Sequence, residues 1–206
     1  MSIFQGHPLF SWNLLRNWLI TTACPCFNWH SASFEVLINL NGKRRRKMTD
    51  DWVKAIWEKG IGLMGKKYTW AEAILQVLRE DTGWDATPYQ WATAGYMGAI
   101  NSGKTICGIL FGASVYLGFL NGIDATDAPK VNDDRRLNAI KSVNELFNGF
   151  IDQFGESDCT TLTGCDWSNK EDIKRYFKDK VYKDTCYRQF EYVVEKCLKA
   201  KAMTHR

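Results

Sequence analysis

Hydrophobic residues recur at helical spacing through most of the chain after Met48, and no segment alternates convincingly between apolar and polar with a period of two. Thr49 and Asp50 offer N-caps for a helix in which Trp52, Ile56 and Leu63 share a face until Gly65. Ala71, Ile74, Leu75 and Leu78 mark a second helix, stopped by Asp81-Thr82-Gly83. Pro88 is placed to open a third through Trp91 and Ala94, and Thr105 to Leu120 is an apolar segment that stops at Asn121-Gly122. The clearest periodicity runs through Leu137, Ile140, Val143, Leu146, Phe147, Phe150 and Phe154 to Gly155. A last helix, from about Asp184 to Ala200, carries Cys186, Phe190, Val193 and Cys197. With no internal repeat and no low-complexity stretch, the pattern predicts an all-α fold, a compact multi-helix single domain.

Residues 1–47 break this pattern. They contain Trp12, Trp18, Trp29 and a Cys24-Pro25-Cys26 triplet, but no sustained period, and are expected to form a disordered or non-native leader to a domain spanning 48–206. Gly42-Lys43-Arg44-Arg45-Arg46-Lys47-Met48 is what a purine-rich ribosome-binding site would give if translated in frame, so the natural start is expected at Met48; a basic linker is the competing reading. The leader also owns the charge. It holds six of the chain's 27 basic residues and one of its 23 acidic ones, leaving a nearly neutral body despite a net charge of +4. Nucleic-acid binding, which draws on clustered lysine and arginine, is therefore not expected. The apolar run near Leu14 to Ala23 is interrupted by Arg16 and Asn17, a poor secretory signal, and no stretch approaches the roughly 18 apolar residues of a membrane span. A cytoplasmic location without a transmembrane segment is expected, with an unknown redox partner and room for a homo-oligomer.

Two chemistries compete for Gly98 to Gly112. Gly98, Gly103, Lys104 and Thr105 satisfy a phosphate-loop pattern over 98–105, whereas Cys107, Gly108 and Gly112 read Cys-Gly-x-x-x-Gly. A phosphate loop needs a buried strand running into it, and Tyr89 to Met97 reads as helix, so nucleotide binding is the weaker alternative. The body holds five cysteines, Cys107, Cys159, Cys165, Cys186 and Cys197, an odd number that argues against a closed disulfide framework. Cys107 falls at a predicted helix N-terminus, where the dipole and free N–H groups would lower a thiol pKa. Gly108 and Gly112 share a helix face and clear room beside it for another helix or a cofactor. Cys197, in a stripe with Phe190 and Val193, reads as core. No C-x-x-C or C-x-x-C-H is present, which argues against a covalently attached haem, and the body's only histidine is His205.

From about Gly65 to Ala200 the chain resembles the C-GCAxxG-C-C family of redox-active proteins. The resemblance is carried by Tyr68-Thr69-Trp70-Ala71-Glu72-Ala73, by the box Cys107-Gly108-Ile109-Leu110-Phe111-Gly112-Ala113, by Phe154-Gly155 with Cys159 and Leu162-Thr163-Gly164, and by Cys186. Trp70 stands where the family has its first cysteine, and Ile109 where alanine is usual. The resemblance implies a small protein that handles electrons through Cys107, Cys159 and Cys186. It implies either an iron–sulfur cluster or zinc held by these three, with Cys165 as a fourth metal ligand or the fourth position open or filled by water or another residue, or a thiol–disulfide couple without metal. A helical interaction module that has lost the redox site is the alternative that Trp70 raises. No general acid, base or nucleophile is assigned.

Overall fold

Thr69 and Glu72 illustrate how this sequence builds its helices. The Thr69 hydroxyl accepts the Glu72 backbone N–H while the Glu72 carboxylate accepts the Thr69 N–H at 2.8 Å, a reciprocal capping box that starts helix α2 (Trp70–Thr82) at Trp70. At the other end Gly83 takes the left-handed conformation (φ 73°) that a side chain would resist, and its N–H closes the last turn. The computed structural model describes residues 49–84, 90–102 and 105–204. Within them α1 spans Asp50–Gly65, α3 Trp91–Ala94, α4 Tyr96–Ile100, α5 Gly108–Gly122 and α6 Asp134–Phe154. α7 spans Cys159–Thr163, α8 Lys170–Lys178, α9 Val181–Asp184 and α10 Cys186–Thr204. Among the described residues there is no strand, only one isolated antiparallel bridge between Ile106 and Asp158, so the fold is all-α as the periodicity predicts.

α5 is the centre. It is apolar nearly all round, as a helix enclosed on several sides must be, and it packs against α2, α6 and α10. Ile109, Leu110, Ala113, Tyr116, Leu117 and Leu120 are all buried. Opposite them α2 buries Ala71, Ile74, Leu75 and Leu78, and α10 buries Phe190, Val193, Val194 and Cys197, the last as an ordinary core residue. A polar clasp joins the rim. The Asp81 carboxylate at the end of α2 accepts the Trp52 indole N–H of α1 at 2.9 Å and pairs with Lys201 of α10 at 2.8 Å, with Asp81 only 9% exposed.

Several boundaries differ from the sequence expectation for local reasons. The apolar segment begins its helix at Gly108 rather than Thr105, because the backbone before it pairs with residues 157–159. α8 is not expected from its charge-rich sequence, yet Ile173 and Tyr176, three apart, turn one side to the protein while Phe177 stays exposed. The leader, the proposed start at Met48, Pro88, Gly103, Lys104 and His205 all lie outside the described residues. Trp91–Ala94 and Tyr96–Ile100 are helical, so no strand runs toward the phosphate-loop pattern and the context that pattern requires is missing among the described residues.

α5 approaches α2 most closely at Gly112, where an added Cβ would meet the Ala71 carbonyl oxygen and the Ile74 side chain. Gly118, on the same helix, has open space around it. Gly112→Ala should therefore cost roughly 1–3 kcal/mol of stability by overpacking, whereas Gly118→Ala should be neutral or gain up to about 1 kcal/mol from helix propensity. Urea unfolding of the two variants side by side reads the difference.

Candidate functional site

The isolated bridge places the first two cysteines. The Cys107 N–H donates to the Ser157 carbonyl at 2.7 Å and the Cys159 N–H to the Thr105 carbonyl at 3.0 Å, so each cysteine lies one residue past the bridged pair Ile106–Asp158. Side chains alternate across an extended backbone, which sends both thiols off the bridge on the same side. Cys107 then caps α5, and Asp158 caps α7 by accepting the Thr161 N–H at 2.8 Å. The third thiol comes from the other end of the domain, where Cys186 opens α10.

These three cysteines line one cavity of about 620 Å3. Trp70, at the head of α2, lines it too, so the position where the family pattern has its first cysteine belongs to the same wall. Gly108 is also on the wall. Gly112 is not; it seats α5 on α2. Cys165 is buried two residues before Trp167 but contributes nothing to the wall, and Cys197 lies in the core. Among the described residues no group of three or more His, Cys, Asp or Glu is placed to hold a metal ion. With Cys165 off the wall and Trp70 offering no ligand, the wall supplies three thiols as donors and no fourth from these positions.

Three residues that the sequence reading passes over give the thiols their partners. Tyr176, from α8, is buried with its hydroxyl 3.2 Å from the Cys186 sulfur. The Trp70 indole N–H reaches the same hydroxyl at 3.4 Å. Indole is a donor only, so Tyr176 accepts from Trp70 and has its own proton free for Cys186. Gln189, three residues after Cys186 and therefore one turn further along α10, accepts from the Cys107 thiol at 3.9 Å. Trp167 is the neighbour of the remaining thiol, Cys159. Its indole N–H lies against Cys159, near enough to favour the thiolate slightly, yet it makes no properly formed hydrogen bond and is buried. The sequence signal for these residues is weak: an i, i+3 step after Cys186, an aromatic two places after Cys165, and the Tyr176-Phe177 pair in a charged helix.

Burial dominates the electrostatics. It pushes the Cys107 thiol far up, the neighbouring Cys159 and Cys186 add to the rise, and the Ile109 and Leu110 N–H groups at the start of α5 only partly offset it. The expected lowering at a helix N-terminus thus loses to desolvation. Burial likewise pushes Cys159 up to about 12, with Cys186 adding to the rise. Cys186 is raised by burial and pulled back by Tyr176 and Thr185. At neutral pH the cavity holds protonated thiols.

The fold and the cavity together define a class: an all-helical domain that gathers cysteines from separated segments onto one cavity wall. The chain belongs to the family described as "Putative redox-active protein (C_GCAxxG_C_C)", whose model matches residues 68–200. No curated protein and no solved structure matches it. No helix among the described residues is long and apolar enough to cross a membrane.

Two outcomes follow. Tyr176→Phe removes the donor that favours the Cys186 thiolate, so the Cys186 pKa should rise and its alkylation by iodoacetamide at pH 8 should slow by about tenfold, the equivalent of one pKa unit; peptide mass spectrometry measures it. Thiols raised from their ordinary value of 9.0 keep protons in the folded chain that the unfolded chain loses. Stability should therefore be fully present below about pH 9 and fall as pH climbs toward 12, by about 1.4 kcal/mol per pH unit for each such thiol. Cys159→Ser should flatten that fall in a series of urea titrations.

Proposed function

We propose that Cys107, Cys159 and Cys186 form a thiol-based redox site in which two of the three interconvert between dithiol and disulfide. The observation that carries this reading is their convergence on one cavity wall from segments some 80 residues apart in sequence. Free cysteines that serve only as small core residues scatter through a core, as Cys197 does here. Cys159 is the most accessible of the three and lies beside both others, which makes it the shared member of the couple. The half-reaction loses two electrons and two protons as one S–S bond forms, so the site remains uncharged in both states. That balance suits a cavity in which burial opposes every thiolate.

The test is oxidation of the full chain, purified without oxygen, by the uncharged oxidant diamide. Two thiols per chain should disappear, with a disulfide mapped among Cys107, Cys159 and Cys186 and reversed by dithiothreitol, while Cys165 and Cys197 stay reduced. Iron or zinc at one or more per chain, lost in Cys107→Ser, would replace this reading with a metal centre. Thiols that resist diamide would replace it with a helical interaction module.

A further inference from the structure

Helix α6 carries more apolar surface than its place in the fold uses. It buries Leu146 and Phe150 against the core, and a helix lying on a core needs one apolar stripe. A second stripe runs beside the first. Leu137, Ile140, Asn144, Phe147 and Ile151 recur in steps of three and four, the a/d repeat of a helix that packs along another helix. At about 100° per residue they lie about a third of a turn round from Leu146 and Phe150. Leu137 is 49% exposed, Ile140 51% and Ile151 40%, while Phe147 is half-buried. No other described helix has more than one large hydrophobic side chain so exposed. Asn144, exposed at the middle of the stripe, is the kind of polar interruption that holds a helix pair in one register at some cost in stability.

We propose that α6 is the interface of an antiparallel homodimer, in which this stripe is covered by the same stripe of a second copy about a twofold axis near Asn144. A twofold interface sets one patch against itself, so it requires a patch that matches its own reverse. The stripe does so: Leu137 and Ile151 stand seven residues to either side of Asn144, with Ile140 four before and Phe147 three after. Charge fixes the direction. The first half of α6 carries Arg135, Arg136 and Lys141 against Asp134, and the second half carries only the acidic Glu145 and Asp152. Arg135 is already held by Asp133 at 2.8 Å, which leaves Arg136 and Lys141, the latter paired only loosely with Glu145 at 3.9 Å. Antiparallel packing sets the basic half of each copy against the acidic half of the other and opposes the two helix dipoles. Parallel packing would set like charges together. None of the five stripe residues lines the thiol cavity, so the dimer is independent of the redox reading.

Sedimentation velocity of the full chain over a rising protein concentration should show a species at twice the 23.7 kDa of one chain. Ile140→Glu, at a position the monomer leaves half exposed, should weaken the dimer Kd by about tenfold or more, the equivalent of one lost apolar anchor. Its far-UV circular dichroism should match that of the unaltered chain, which shows that it folds. Phe177→Glu, which places the same charge at an exposed apolar position on α8, should leave the Kd unchanged. Glu145→Lys sets like charges across the interface and should weaken the Kd about fivefold. Combining it with Lys141→Glu restores opposite charges and should bring the Kd back to within about twofold. A monomer at every concentration overturns the second copy as the occupant and leaves the stripe to a different protein. A dimer that Ile140→Glu leaves intact overturns α6 as the interface, and failure of the double reversal to restore the Kd overturns the antiparallel arrangement.

Discussion

Everything at the cavity depends on how closely α5 can approach α2. At Gly112 the helices meet with the Ala71 carbonyl and Ile74 filling the space where a side chain would be, and Gly108 one turn earlier packs over Ala71 and Ile100. Small residues four apart on one helix bring backbones together by removing the side chains between them. The consequence is positional. Ala71 follows Trp70 and Gly108 follows Cys107, so seating one pair of small residues sets the adjacent pair of cavity residues at a fixed separation. The capping box at Thr69 and Glu72 then fixes where α2 begins, and the bridge at Ile106 and Asp158 fixes where α5 begins. In this chain the glycine box and the segment around Trp70 and Ala71 are two halves of one contact.

That contact explains why the thiols are dry. A wall built from helix ends pressed against a shared core leaves little water around Cys107, 4% exposed, or Cys186, equally buried. Burial raises both, and the N–H groups at the α5 terminus lose to it. Reactive cysteines usually sit where positive charge or open solvent favours the thiolate. Here burial favours the protonated thiol, and the few polar partners differ among the thiols. Gln189 accepts from Cys107 and holds it as a thiol, whereas Tyr176 donates to Cys186 and eases its ionisation. Three chemically identical side chains are made unequal by their different polar partners.

Much of the architecture was legible in the sequence because helices announce themselves locally. The expected helices at Trp52 to Gly65, Ala71 to Leu78 and Leu137 to Phe154 rest on period and stop signals, and Gly83 and Gly155 end their helices in the left-handed conformation. α8 was hidden because its single apolar face is short and its composition is charged. The start of α5 was misplaced by three residues because a backbone bridge to residues 157–159, fifty positions away, claims Thr105 to Cys107. At the site, the resemblance pointed to Cys107, Cys159 and Cys186, which the structure gathers on one wall, and to Cys165, which it leaves off that wall. Tyr176, Trp167 and Gln189 could not be read ahead, since their roles depend on where an indole or phenol points in three dimensions. The pKa expectation for Cys107 failed for the same reason: helix polarity is local and visible in sequence, while burial is global and is not.

Trp70 shows how a departure from a family pattern can be absorbed rather than merely suffered. A cysteine at the head of α2 would add a fourth thiol to the wall; tryptophan instead fills that corner with a ring set against Phe190 at 5.7 Å and Tyr187 at 5.9 Å, and turns its N–H to the Tyr176 hydroxyl. Because indole can only donate, the phenol proton is directed to Cys186 and the sulfur becomes an acceptor. The substitution therefore removes a thiol and supplies a hydrogen-bond chain in one step. A metal centre would lose by that exchange, since tryptophan coordinates nothing. A thiol couple keeps its three sulfurs, gains a buried aromatic wall around them, and has one sulfur biased toward ionisation by a donor whose orientation the new residue enforces.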